Sequence, residues 1–173
     1  GYDDKKFNLG DIAVYGSGGI INYIDTYIYD KESVLIPRKG SIGNLFYVEK
    51  PFWTVDTIFY TIINKEIVIP KYLYYYLSKL NLEKLNTAGG VPSLTQAVLN
   101  KILIPLPPLE EQQEIVRVLD EVLENENKVK ELLELEERID ILEKSILHKA
   151  FKGELGTQNS SDESAIELLK EIL

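Results

Sequence analysis

Pro37-Arg38-Lys39-Gly40 is the run in this chain best suited to chemistry on a polyanion. Pro fixes φ and Gly permits positive φ, so the run predicts a tight hairpin whose tip exposes Arg38 and Lys39. An arginine so placed can enter a DNA groove, where its planar fork pairs with two acceptors of guanine. A solvated turn is the competing reading. Asn44, Thr95 and Gln96 are further polar side chains that could contact phosphates or base edges. The cluster Tyr72, Tyr74, Tyr75 and Tyr76 could stack bases, but helical spacing sends some of these rings into a core.

Other chemistries find less support. Zero cysteines exclude disulfides, thiolate metal sites and a cysteine nucleophile, and a single histidine, His148, argues against a metal cage or a Ser-His-Asp relay. Asp25, Asp30, Asp56 and Glu49 follow no spacing that would make an acid/base pair, and they read as surface or turn residues. Gly16-Ser17-Gly18-Gly19 lacks the Gly-Lys-Ser/Thr and following helix of a phosphate-binding loop, and reads as a flexible turn. No cofactor is expected.

The elements that must position these residues fall into two parts. Val34-Leu35-Ile36, Asn44 to Val48 and Thr57 to Ile63 are β-branched or aromatic runs bounded by turn signals, the pattern of short strands. A third loop, after those at residues 16–19 and 37–40, is expected at Ala88-Gly89-Gly90-Val91-Pro92, and Pro70 suits the start of a helix with Leu73, Tyr76, Leu77 and Leu80 on one face. Pro105, Pro107 and Pro108 then close the mixed region, since three prolines in four residues fit neither a helix nor a central strand. Domains are therefore expected at 1–108, 109–153 and 154–173.

From Glu110 to Lys152 there is neither Gly nor Pro, and at ~1.5 Å per residue this stretch makes a helix of roughly 64 Å. Glu110, Glu111 and Glu114 suit its positive end, and Gly153 suits its stop. Ile115, Leu119, Val122, Val129, Leu132, Ile139, Leu142, Ile146 and Ala150 recur by threes, fours and sevens, the period of a coiled-coil seam. Such a seam requires a second long helix. Ser160 and Glu163 form a capping-box pattern before a short amphipathic helix with Ile166, Leu169 and Leu173.

The net charge of −9 conceals an asymmetry. Residues 1–108 carry 11 basic and 10 acidic side chains, net +1, whereas residues 109–173 carry 8 and 18, net −10. The first part can present a basic patch to DNA; the second faces solvent or a basic protein. No window approaches the ~18 apolar residues of a membrane span, and no apolar stretch follows the charged N-terminus, so neither membrane nor export is expected.

The run Ile104-Pro105-Leu106-Pro107-Pro108-Leu109-Glu110-Glu111-Gln112-Gln113-Glu114-Ile115 resembles the junction between recognition domain and helix in specificity subunits of type I restriction-modification systems. Val14 to Ile20, Ile36 to Asn44, Trp53 to Thr57 and Val91-Pro92-Ser93-Leu94 resemble that family's target-recognition domain, and Ala150 to Gly156 is similar to its C-terminal segment. The resemblance implies an α+β fold: a β-rich target-recognition domain, a long helix pairing antiparallel with another, and a short C-terminal helix. It implies a non-catalytic, cytoplasmic subunit that reads double-stranded DNA and directs a methylation subunit and, through it, a restriction subunit. Arg38, Lys39, Ser41, Asn44, Ser17, Thr95 and Gln96 become the expected DNA-binding set, and the residues from Ile115 to Ile146 on the apolar stripe the helix-pairing set. Family members carry two recognition domains held apart by two long helices. This chain has one of each and begins without the strand or strands expected before Tyr15. It is therefore expected to be a half-subunit pairing with a second copy, or a fragment pairing with a missing half. A protein-interaction scaffold with an oligomerising helix and no DNA role is the alternative. A self-contained methyltransferase or nuclease is disfavoured, for no methylation motif of the Asn/Asp-Pro-Pro-aromatic type and no carboxylate-lysine cluster is present.

Overall fold

Val34-Leu35-Ile36 has no polar face, and a strand of that kind is satisfied only when both its sides are covered. The computed structural model, which describes residues 7–86 and 89–155, covers both. Strand β3 (Ser33–Pro37), the successor of β1 (Leu9–Gly16) and β2 (Gly19–Ile24), is buried at all five positions. It lies between β4 (Phe46–Val48) and β6 (Ile58–Tyr60) in an antiparallel sheet of order β4-β3-β6. Successive side chains of a strand point to opposite faces. Val34 and Ile36 accordingly enter a cluster with Leu73, Leu77, Leu82 and Leu94, whereas Leu35 joins Val48, Phe52 and Ile58.

A second sheet, order β2-β1-β5, supplies the cover on the Leu35 side through β5 (Phe52–Thr54), which runs parallel to β1. Phe52 is fully buried, with the Tyr15, Tyr29 and Tyr60 rings 6.4, 5.9 and 5.8 Å from its own. Aromatic groups at such separations favour tilted or edge-on arrangements. The strands expected at 34–36, 44–48 and 57–63 are the members of the β4-β3-β6 sheet, the first longer by a residue at each end and the other two shorter. The β2-β1-β5 sheet was not anticipated; Gly16-Ser17-Gly18-Gly19 is its hairpin turn, with Gly19 at φ 126°.

The other cover of β3 is α1 (Pro70–Lys79), with Pro70 in its first turn; Leu73 and Leu77 are buried as the pattern predicts, Tyr76 and Leu80 only partly, and Tyr72, outside the expected face, is buried as well. A 3-10 turn (Leu82–Leu85) and α2 (Gln96–Leu99) complete this layer. The α1 tyrosines divide between packing and tethering. Tyr72 donates its hydroxyl to the Pro105 carbonyl at 2.9 Å and Tyr76 to that of Leu103 at 3.0 Å, holding the proline segment against the helix. Burial foremost, with Tyr76 and Glu111 adding charge repulsion, raises the Tyr72 phenol above its ordinary range, which preserves it as a donor.

Helix α3 spans Leu109–Lys152 without a break. Gly153, at φ 72°, ends it: its N–H reaches the Ala150 carbonyl and that of Glu154 reaches Lys149, a glycine-capped terminus. The chain divides into two compact units, residues 1–119 and 120–173, so the first turns of α3 belong with the β-rich domain. Gln112 accounts for this. Its side chain is fully buried and bonds three backbone groups, accepting from Ile69 N–H and donating to the carbonyls of Ile67 and Pro107. In the second unit, Val122, Val129, Leu132, Ile139, Leu142 and Ile146 are each more than half exposed. The short helix expected from Ser160 to Leu173 lies outside the described residues, as does Ala88.

Replacing Phe52 by Ala removes the ring around which three tyrosines pack. It is expected to destabilise the domain by about 3–5 kcal/mol, read as a lowered urea midpoint with an unchanged slope.

Candidate nucleic-acid interface

Where β3 ends, the backbone does not reverse. Arg38 donates its N–H to the Thr57 carbonyl at 2.8 Å and accepts from Leu94 N–H at 2.9 Å, so the strand direction continues past Pro37. Lys39 bridges to Ser93, and Gly40 N–H bonds the Pro92 carbonyl at 3.0 Å. The turn comes at Gly40, whose φ of 78° is open to glycine and disfavoured for other residues. A tight hairpin with Arg38 and Lys39 at its tip is therefore corrected. The connection between β3 and β4 is the longer loop 38–45, because the 92–94 segment offers the backbone partners that a reversal would have forgone.

This pairing gathers three loops. A Cβ built on Gly40 would stand 3.5 Å from Ser17 Oγ, which places the β1–β2 turn beside the 38–45 loop and the 91–96 segment. Ile42 and Leu94, both buried, anchor the latter two from below, and Asn86 Oδ1 receives Ser93 N–H at 2.9 Å. Ser17, Arg38, Lys39 and Thr95 thus come from segments that meet around one glycine. Lys39, Ser41, Asn44, Thr95 and Gln96 are exposed, while Ser17 and Arg38 are half-buried.

Within this set the side chains differ. The Arg38 guanidinium lies over the Phe59 ring, 5.3 Å from its centre, a cation–π contact that limits its freedom while leaving its edge donors able to bond. Thr95 caps α2: its Oγ1 accepts from Val98 N–H at 3.3 Å. Gln96 lies on the rim of an apolar groove of about 610 Å³ formed by Phe59, Leu73, Leu99 and Ile102 among others. Asn44 is at the far end of its loop, next to Gly43, where an added Cβ would stand 3.3 Å from the Glu83 carboxylate. Phe59 and Asn86 hold this loop cluster in place, yet an aromatic in a strand and an asparagine before a loop carry no distinctive sequence signal.

Among the described residues no group of acidic or histidine side chains is placed to hold a metal ion, and no carboxylate, imidazole or amine lines the groove. Asp25 accepts a hydrogen bond from Asn8 at 2.8 Å and His148 is exposed on α3. Tyr15, below the β1–β2 turn, has its phenol raised by burial and secondarily by Tyr23, in keeping with a packed ring. No helix among the described residues is long and apolar enough to cross a membrane.

A β-rich domain that gathers basic and polar side chains on three loops is thus followed, through a proline segment, by the long helix α3. Residues 3–137 match the model of the type I restriction modification DNA specificity domain, and the chain belongs to this family. It is 33% identical over 115 residues to a Haemophilus influenzae protein named as a type I restriction enzyme specificity subunit, an alignment covering 64% of this chain and 30% of that protein. Identity to the EcoBI specificity subunit of Escherichia coli is 28% over 157 residues, 82% of this chain and 33% of the relative. The chain spans about a third of the length of these curated relatives. The fold is shared with the HsdS subunit of Thermoanaerobacter tengcongensis, at a TM-score of 0.63 and 23% identity, covering 89% of this chain and 41% of that one. A chain from a type I R-M system solved in a study of complex assembly and conformational transition superposes with a TM-score of 0.70 and 24% identity, covering 90% of this chain and 42% of that one.

Gly40→Ala forces a Cβ into positive φ at the junction of the three loops. A loss of about 1–2 kcal/mol is expected in chemical denaturation, with the 38–45 amides shifting in NMR spectra while those of β1 and β2 stay in place.

Proposed function

We propose that this chain reads DNA sequence as the recognition half of a type I restriction-modification specificity subunit, without catalysing a reaction itself. The observation that carries the reading is the family match, which runs through the β-rich domain and into α3, on a domain whose Arg38–Asn44 loop is paired to the 92–94 segment. Arg38 is the candidate for reading guanine. Lys39 and the hydroxyls of Ser17, Ser41 and Thr95 suit phosphates, while Asn44 and Gln96 suit either. In this reading the substrate is cytoplasmic double-stranded DNA, and a methylation subunit, joined by a restriction subunit, performs the chemistry that this chain directs.

The acidic α3 acts as spacer and pairing element. Its exposed stripe from Val122 to Ile146 requires a second long helix, from another copy or from a missing half of the subunit, and antiparallel pairing sets two recognition domains a fixed distance apart. A homodimer would then read an interrupted palindrome. A scaffold without a DNA role accounts for the exposed stripe equally well, but leaves the loop cluster around Gly40 without a purpose.

Two measurements test these claims. The chain is co-expressed with its methylation subunit in a methylation-free host, and modified sites are mapped across the genomic DNA. A two-part motif is expected, and Arg38→Ala with Lys39→Ala is expected to abolish or relax one half-site. The same pair should reduce the magnitude of the slope of log affinity against log salt by about 1 for sheared genomic DNA, the share of Lys39 on a phosphate. An assembled complex that modifies no defined motif, or a double variant that keeps the motif and the slope, would overturn the reading.

The pairing of α3 is tested by light scattering. For the 19.8 kDa chain, Leu132→Glu with Ile139→Glu should convert a dimer to a monomer while the circular dichroism of the β-rich domain persists. A dimer that survives both charges would exclude this stripe as the pairing surface.

A further inference from the structure

Gln112 is the one fully buried amide among the described residues, and its bonds reach three segments at once. Oε1 accepts from the N–H of Ile69, the residue that opens α1 and has no side-chain cap of its own, at 2.9 Å. Nε2 donates both hydrogens, to the Ile67 carbonyl at 2.9 Å and the Pro107 carbonyl at 2.8 Å. Tyr72 and Tyr76 pin the same proline segment two and four residues earlier, through the Pro105 and Leu103 carbonyls. The start of α3 is thus tied to the start of α1 by directional bonds rather than by apolar contact alone. Apolar surfaces slide over one another at small cost, whereas a saturated buried polar network specifies one geometry.

We infer that Gln112 is a positioning residue: it holds the first turns of α3 in one orientation on the recognition domain and so restricts the number of base pairs between the two half-sites. This rests on the proposed function above. The lever is long, since a tilt of about 10° at the base of a helix of roughly 66 Å moves its far end by about 11 Å, around three base-pair steps of 3.4 Å. Stiffness of the helix alone cannot set the spacing; its root must also be fixed.

The test uses the same genomic methylation mapping on the full complex. Gln112→Leu keeps the volume and removes all three bonds, and Gln112→Asn keeps the amide on a shorter arm should the first variant fail to fold. Ile24→Ala, in the β2-β1-β5 sheet and remote from the junction, serves as a comparator for lowered melting temperature. The wild-type chain and Ile24→Ala are expected to modify sites of a single spacer length. The Gln112 variants should keep the same half-sites but accept spacers longer or shorter by a base pair, at roughly a tenth of modified sites or more. A Gln112 variant with the wild-type spacer alone, or a comparator that broadens the spacer equally, would overturn the inference. A wild-type complex with no two-part motif would instead sink the functional reading on which it depends.

Discussion

Burial of β3 on both faces is the constraint from which the rest of the domain follows. Its apolar side chains alternate between two clusters, so two different layers must close over it: α1 with the 3-10 turn on one side, and β5 with its surrounding tyrosines on the other. Ser33 shows how strict this is. Buried at the strand's first position, its hydroxyl donates to the Thr61 carbonyl at 2.8 Å and accepts the Thr61 N–H at 3.0 Å, while Thr61 Oγ1 receives Val34 N–H. Two short hydroxyl side chains thereby satisfy what a sheet edge would leave open.

The polar loops inherit their position from that strand. Because β3 is held from both sides, its continuation at Arg38 and Lys39 is held too, by Thr57 on one side and by Ser93 and Leu94 on the other. The loops are thus built on buried anchors, Ile42 and Leu94, with the polar atoms above them. Loops held on buried anchors lose fewer conformations on binding a ligand than free ones would.

Charge and shape separate along the chain in the same sense. The β-rich part is nearly neutral overall, so two cations in one loop stand out against it, whereas α3 alternates acidic and basic side chains around an uncovered apolar stripe. Glu114–Arg117, Glu124–Lys128 and Asp140–Lys144 are exposed pairs along its surface. As exposed pairs three or four residues apart they give helix formation modest support that salt screens. The stripe is then the apolar surface that α3 leaves exposed, and the junction at Gln112 ties the first turns of the helix to the domain.

How much of this was legible in the sequence differs by element. Features set by local physics were read correctly: the start of α1 at Pro70, the span of α3, its stop at Gly153 and the strands around Val34. Each depends on a few neighbouring residues, through φ restriction, helix periodicity or an apolar run. The family was legible as well, from the proline-rich junction and the loop segments. The β2-β1-β5 sheet escaped notice because Leu9–Gly16 and Gly19–Ile24 carry three glycines and little alternation, and become strands through pairing with each other and with β5. The tight turn at Arg38 was a local inference overruled from a distance, since residues 92–94 supply hydrogen bonds that no window around Pro37 can show. Gln112 lies inside a recognisable motif, but its burial depends on Ile67 and Ile69, more than forty residues away. The sequence by itself determined the elements and the family, because those follow from neighbours along the chain; tertiary structure alone decided which loops meet and which polar groups are buried, because those bonds form between residues that only folding brings together.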